Sequence, residues 1–324
     1  MRALLLIGGF GTRLRPLTET VPKQLIPVAG KTLLEHVLDL VPEEVEEIVL
    51  ATGYKADTID AYLREHRPRI PVRSIHEETP LGTGGAIRNA APALSDPFYL
   101  LNSDVVAQVD LRALLERYRA AGAFGVLGLA WVDDTRPYGV AALEGDRIVS
   151  FVEKPEPERS PSHWINAGYA VWSREVADAI PPGRMVSLEK EILPGLLPRG
   201  IYGHRMDGYF EDAGTPERLL HAQRLLFDSG RAAPSVPLPT GQAEGAVACD
   251  PTARIEDGAR IGPYATVGAR VRVGRGARIE DAVLMEGARI GADATVRRSL
   301  VGPGASVGPA ERVEGRIVVA PSAG

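Results

Sequence analysis

The chain has 324 residues, 44% hydrophobic and 24% charged, with a net charge of −5. That is the make-up of a soluble globular protein with room for two domains, and it lacks the bulk-basic footprint of a nucleic-acid binder. A single cysteine, Cys249, excludes an internal disulfide and points to a reducing, cytoplasmic setting, while the opening MRALLLIGG has too few apolar residues for a signal peptide or a membrane span.

Ala3 to Ile7 reads as a short buried strand. GGFGTRLRPLT (8–18) and PKQLIP (22–27) follow. Gly8, Gly9 and Gly11 let the backbone come close to a ligand, and successive N–H groups in such a loop form an anion nest. Arg13, Arg15 and Lys23 add three positive charges. Only five of the 37 basic residues are lysine, so Lys23 and Lys154 stand out as compact point charges in an arginine-rich chain. Donors for oxygens and charge for a leaving group suit a triphosphate. Other nucleotide loops fit poorly. A G-x-G-x-x-G turn needs glycine where Leu14 stands, and a Walker loop ending at Gly30-Lys31-Thr32 needs it at Leu25.

Beyond the loop, Leu33, Leu34, Val37, Leu38 and Val41 keep helical spacing, and Ile48 to Ala51 reads as a strand. Ile59, Tyr62 and Leu63 mark a helix, Pro71 to Ile75 a strand, and Gly82 to Ala91 a helix opened by LGTGG. Phe98 to Leu101 is a strand ending at Asn102-Ser103-Asp104. A helix around Leu111 to Tyr118 and a strand from Gly125 to Trp131 follow. The alternation predicts an α/β, Rossmann-like, doubly wound and mostly parallel sheet. Ligands sit at the carboxyl ends of such strands, where the glycine loop and Asp104 both fall. From Tyr138 the pattern turns to hairpins, over 138–143, 147–153 and 165–172, with Gly145-Asp146 as a tight turn. Ser187 caps a helix to Leu197; Thr215 caps another that Pro216 opens and that runs to about Phe227.

The boundaries expected are 1–228 for the first domain, 229–245 for a linker rich in Pro and Gly, and 246–324 for the second domain. Ile255, Ile261, Val267, Val273 and Ile279 fall six apart. The phase breaks at DAVLMEG (281–287) and resumes at Ile290 and Val296. That period predicts a parallel β-helix of hexapeptide repeats. The six histidines all precede it and show no metal-binding spacing, so an acyl-transfer role with a histidine base is not expected there.

GGFGTRLRPLT…PKQLIPV resembles the signature of the sugar-1-phosphate nucleotidylyltransferases, and the resemblance extends over essentially the whole chain, implying a catalytic domain to about 228 and then a short left-handed β-helix. It implies transfer of a nucleotidyl group from a nucleoside triphosphate to a sugar 1-phosphate, with release of pyrophosphate. Arg13, Lys23 and Lys154 are then the catalytic cations. Leu6, Gly8, Gly9, Gly11, Thr12, Arg13, Lys23, Gly82, Thr83 and Asp104 contact the nucleotide, while Gly139, Glu153, Lys154, Asn166 and Gly168 contact the sugar phosphate. Asp104 and Asp212 hold one Mg²⁺, with Glu211 as a rival to Asp212. LNSDV, FVEKP, INAGYAV and SLEKEILP look most like mannose-1-phosphate guanylyltransferases, whereas Gln24 also suits glucose-1-phosphate thymidylyl- or uridylyltransferases. Ser103, where many relatives carry glycine, is a departure. A regulatory subunit that has lost catalysis is the non-enzyme alternative. A homo-oligomer, dimer or tetramer, is expected, with neither nucleic acid nor membrane as partner.

Overall fold

A computed structural model describes residues 1–233, 238 and 242–321 of the chain. Residues 234–237 and 239–241 of the expected linker lie outside the described residues. By packing, the chain divides into two units. One joins Met1–Gly9 to Val37–Phe210, and the other joins Phe10–His36 to Glu211–Gly324. The division falls inside the glycine motif: Gly8 and Gly9 go with the first unit, Gly11 onward with the second.

The first unit is built on a nine-stranded sheet. Its strands are β1 (Arg2–Leu6), β2 (Glu47–Thr52), β3 (Val72–His76), β4 (Phe98–Asn102), β5 (Gly125–Trp131), β6 (Gly139–Glu144), β7 (Arg147–Glu153), β8 (Trp164–Trp172) and β9 (Ile201–Arg205). Their order is β3-β2-β1-β4-β8-β5-β9-β7-β6. The first four are parallel, as alternation with α1 (Ala56–Glu65) and α2 (Gly82–Ala90) requires. β8 then enters antiparallel between β4 and β5. The remaining part is mixed, and β6 pairs with β8 at Ile165 and Val140. α3 (Leu111–Ala121) begins at Asp110, whose carboxylate accepts from the Arg112 and Ala113 N–H groups. β9 was not foreseen: IYGHR is short and broken by Gly203, so its pairing beside β5, rather than local pattern, makes it a strand. The core joins both parts of the sheet, from Leu4 and Val49 through Leu100 and Trp172 to Ile148 and Ile201.

The second unit contains the repeats, which form three parallel sheets as in a parallel β-helix. Arg254 pairs with Arg272, a step of 18 residues, and Arg272 pairs with Arg289, a step of 17. The break in phase near 281 is this shorter coil, not an interruption. Val267, Val273, Ile279, Ile290, Val296 and Val307 point into the shared core. On one sheet the outward residues are buried too: Ala248, Thr266, Val283 and Leu300 are at most 2% exposed. Helix α4 (Pro216–Asp228), capped by Thr215, packs there. Its fully buried Gln223 donates to the Tyr264 carbonyl (2.8 Å) and accepts from the Thr266 hydroxyl (2.6 Å) and the Ala29 N–H (3.3 Å). Beside it, Arg224 grips the buried Asp281 carboxylate, with Nε at 2.9 Å. Leu17 lies against Gly302, and Gly30 leaves room for Ala233 and Ala248. The cation-bearing loop is therefore seated on the β-helix. No helix of the described residues is long and apolar enough to cross a membrane.

Candidate active site

In the second unit three expected residues come together. Gly11, in the left-handed conformation (φ 60°), starts a single 3₁₀ turn over Thr12–Leu14. Gly11 is held there by the Thr18 hydroxyl, which donates to its carbonyl at 2.8 Å. Buried Leu14 fixes the turn and leaves Arg13 outside, 58% exposed. Lys23 begins a further 3₁₀ turn, Lys23–Leu25, and is almost fully buried. Both cations face Asp212: Arg13 Nη2 lies 3.5 Å from Oδ2, and Lys23 Nζ lies 3.6 Å from Oδ1. A Cβ at Gly214 would meet the tip of the Arg13 side chain and lie 3.0 Å from Asp212 Oδ1, so Arg13 would have to move to admit one.

A third cation was missed. Arg218 Nη1 is 3.5 Å from Asp212 Oδ2, and its Nε is 3.8 Å from Glu211 Oε1. A signal existed, because an arginine in the first turn of a helix runs against the macrodipole and calls for an anion nearby. Glu211, the rival metal ligand, also receives His221 Nδ1 at 2.5 Å.

The first unit carries the rest. Leu6 and Asn102 are register partners, so Gly8 and Asp104 follow the carboxyl ends of adjacent strands. Ser103 is buried, and its hydroxyl donates to the Leu6 carbonyl at 2.6 Å. Ser103 thus ties β1 to β4, and it occupies the Leu6 carbonyl. A Cβ on Gly9 would meet nothing, so no protein group fills that approach.

Gly82 has φ +70°, and a Cβ there would lie 2.6 Å from the Val186 carbonyl, so only glycine fits. The Gly84 N–H also bonds that carbonyl, at 2.9 Å. Thr83 is less available than expected. Its hydroxyl donates to Glu189 at 2.6 Å and accepts from the Leu188 N–H at 2.9 Å. Glu77, which sequence reasoning passed over, receives the Leu81 N–H at 3.1 Å. It sits under Gly8, within 3.9 Å of where a Cβ would be. Burial pushes its carboxyl up, against the pull of that N–H. A cavity of about 540 Å³ opens against Glu77 and Leu81.

Gly139, Glu153 and Lys154 meet where β6 and β7 pair. A Cβ on Gly139 would lie 2.6 Å from Glu153 Oε2 and would strike the Phe151 ring. Burial pushes the Glu153 carboxyl up, and the Glu189 charge adds to this against Lys154 and Lys190. Lys154 has φ +52°, uncommon for a side chain of its size, and its ammonium is 3.9 Å from Glu153 Oε1. Asn166 and Gly168 form a bulge in β8, where Asn166 Oδ1 accepts the Gly168 N–H at 3.1 Å.

The donors fit a hard divalent cation in kind, since Asp104 and Asp212 offer carboxylate oxygens. Among the described residues no group of three or more His, Cys, Asp or Glu could hold a metal alone.

Residues 2–229 match the family model described as Nucleotidyl transferase, and residues 243–323 match the GMPPB C-terminal domain. The chain is 38% identical to the mannose-1-phosphate guanylyltransferase of Mycobacterium tuberculosis, over 91% of this chain and 83% of that protein. It is 34% identical to mannose-1-phosphate guanylyltransferase 1 of Arabidopsis thaliana, over 98% of this chain and 91% of that one. Among solved structures, HddC from Yersinia pseudotuberculosis complexed with GMP-PN is 29% identical. It matches with a TM-score of 0.57 over 69% of this chain and 98% of that one.

Proposed function

We propose, from the premise that this chain belongs to the nucleotidyl transferase family and is a sugar-1-phosphate nucleotidyltransferase, that it makes GDP-mannose from GTP and mannose 1-phosphate. The observation that carries the choice of base is Glu77. A partly desolvated carboxylate beside Gly8 is an acceptor-only group, and guanine alone among the common bases offers it a paired ring N–H and amino group. The names of the relatives support the choice of sugar.

In this reading a phosphate oxygen of the sugar phosphate attacks the α-phosphorus. The new P–O bond forms as the bond to pyrophosphate breaks, and no protein nucleophile intervenes. Placement and charge are what the chain supplies. Lys23 meets the α-phosphate, Arg13 takes the charge of the departing pyrophosphate, and Lys154 holds the sugar phosphate. Glu153, Gly139 and the Asn166–Gly168 bulge receive the sugar, and backbone at Gly82 and Thr83 receives the base with Glu77. Members of this family generally use a divalent metal. We assign Mg²⁺ to Asp104 and Asp212, where it would supply positive charge to the phosphate oxygens.

The test is pyrophosphate release by the full chain with GTP, ATP, UTP and dTTP, each with mannose 1-phosphate and glucose 1-phosphate. The highest kcat/KM is expected for GTP with mannose 1-phosphate, and Glu77→Gln should erode the preference for GTP. Leadership by dTTP or UTP with glucose 1-phosphate would overturn the base and the sugar. No release with any pair would favour a regulatory subunit. We further propose a homo-oligomer, dimer or tetramer, working in the cytoplasm. Val247–Cys249 pairs on one side only among the described residues, and such an edge invites cover. A monomer mass in light scattering would contradict the assembly.

A further inference from the structure

The segment SLEKEILP touches two parts of this site and has been given to neither. Leu188–Ile192 is a π-helical turn capped by Ser187, a rare form found mostly where function demands it. It packs against α2 on one side and against β7 on the other. Glu189 on this turn is half-buried. Its Oε2 accepts from the Thr83 hydroxyl at 2.6 Å and from the Ser187 hydroxyl at 3.1 Å. The Thr83 hydroxyl proton is thus committed, and its oxygen holds the Leu188 N–H. Thr83 acts as a strut between the start of α2 and the turn. On the other side, Glu189 presents a like charge to Glu153, whose remaining charged neighbours are Lys154 on the adjoining backbone and Lys190 on the same turn. From β6, Gly139 faces Glu153 and brings no charge.

We propose that Glu189 is a positioning residue that links the base corner, Gly82–Thr83, to the sugar carboxylate Glu153, so that binding of one substrate changes the affinity for the other. The link rests on the reading of Glu153 as a sugar contact. Its physical basis is a charge pinned by two hydroxyl donors on a turn that packs against β7, the strand that ends at Glu153. A shift of α2 on base binding moves the pinned charge, and the repulsion on Glu153 changes with it. Coupling between sites is reciprocal, so the same factor must appear in both directions.

The experiment compares the wild type with Glu189→Gln, which keeps the shape and removes the charge, and with Thr83→Ser and Thr83→Val. The sugar-phosphate KM is measured at low and at saturating nucleoside triphosphate, together with the pH profile of kcat/KM for the sugar phosphate. The wild type should show a mutual dependence of roughly fivefold or more. Thr83→Ser should keep it, and Thr83→Val and Glu189→Gln should lose it. Glu189→Gln should also move the acid limb of the profile to lower pH, because a like charge has left Glu153. A profile and a mutual dependence that match the wild type, even with a lower Tm, would overturn the link and leave Glu189 a mere strut. Glu153→Gln separates this from failure of the underlying reading: an unchanged sugar-phosphate KM there would remove Glu153 from the sugar site itself.

Discussion

Glu153 and Asp212 are equally sheltered, at 15% and 19% side-chain exposure, yet their surroundings are opposite. Glu153, on the sheet unit, has one ammonium 3.9 Å away and a like charge behind it, and its carboxyl is pushed up. Asp212, on the β-helix unit, is ringed by Arg13, Lys23 and Arg218 at 3.5 to 3.6 Å. The first environment keeps lone pairs open for hydroxyl donors. The second gathers three cations around Asp212, one of them shared with Glu211, a setting that suits an anionic ligand. In the proposed function, the first environment reads the sugar and the second handles phosphates.

The most severe way to break the contrast is Lys23→Ala. It should lower kcat by about 10²–10³, the scale of losing one aimed stabiliser of developing charge, in steady-state pyrophosphate release. An unchanged kcat would take Lys23 out of the chemistry. Next is Asp212→Asn, which should raise the divalent-metal concentration needed for half-maximal rate by roughly 10–100-fold, as loss of a metal-site carboxylate does. A metal titration identical to wild type would leave Asp212 as only a counter-ion for its cations. Gly139→Ala comes third. The added Cβ presses on Phe151 and on the Glu153 carboxylate, a strain of about 1–3 kcal/mol. The sugar-phosphate KM should rise about tenfold or more by that scale, with the nucleotide KM little changed. A uniform rise in both would mean that the two regions are not distinct.

The smallest effect concerns stability and sharpens the same comparison. Because the folded protein raises the Glu153 pKa, that carboxyl favours the fold at low pH, and the contribution is lost as pH rises from the ordinary glutamate range through the raised value. Glu153→Gln should therefore raise Tm slightly near pH 8, with the gain vanishing below about pH 4. A drop in Tm at pH 8 would contradict the direction of the shift.

Much of the molecule was legible in the sequence, for identifiable reasons. Apolar runs and caps such as Ser187 and Thr215 act locally, so they marked the strands and helices that border the site. The repeat was legible because one inward side chain per strand is a local rule. What escaped depends on distant partners. β9 exists through its pairing with β5. Glu77 and Glu189 take their settings from Gly8 and Thr83, which lie far off in the chain. The motif GGFGTR is continuous in the chain, yet packing divides it between units, because Leu17 and Gly30 have their partners among the repeats. Spacing along a sequence cannot report a partner more than 200 residues away.

The central claim is a single in-line displacement at the α-phosphorus, driven by placed charge and without a covalent enzyme intermediate. It is tested most directly by turnover of a GTP analogue made chiral with sulfur at the α-phosphorus, followed by assignment of configuration in the nucleotide sugar. The account predicts inversion. Retention would demand two displacements and a protein nucleophile, and would contradict it.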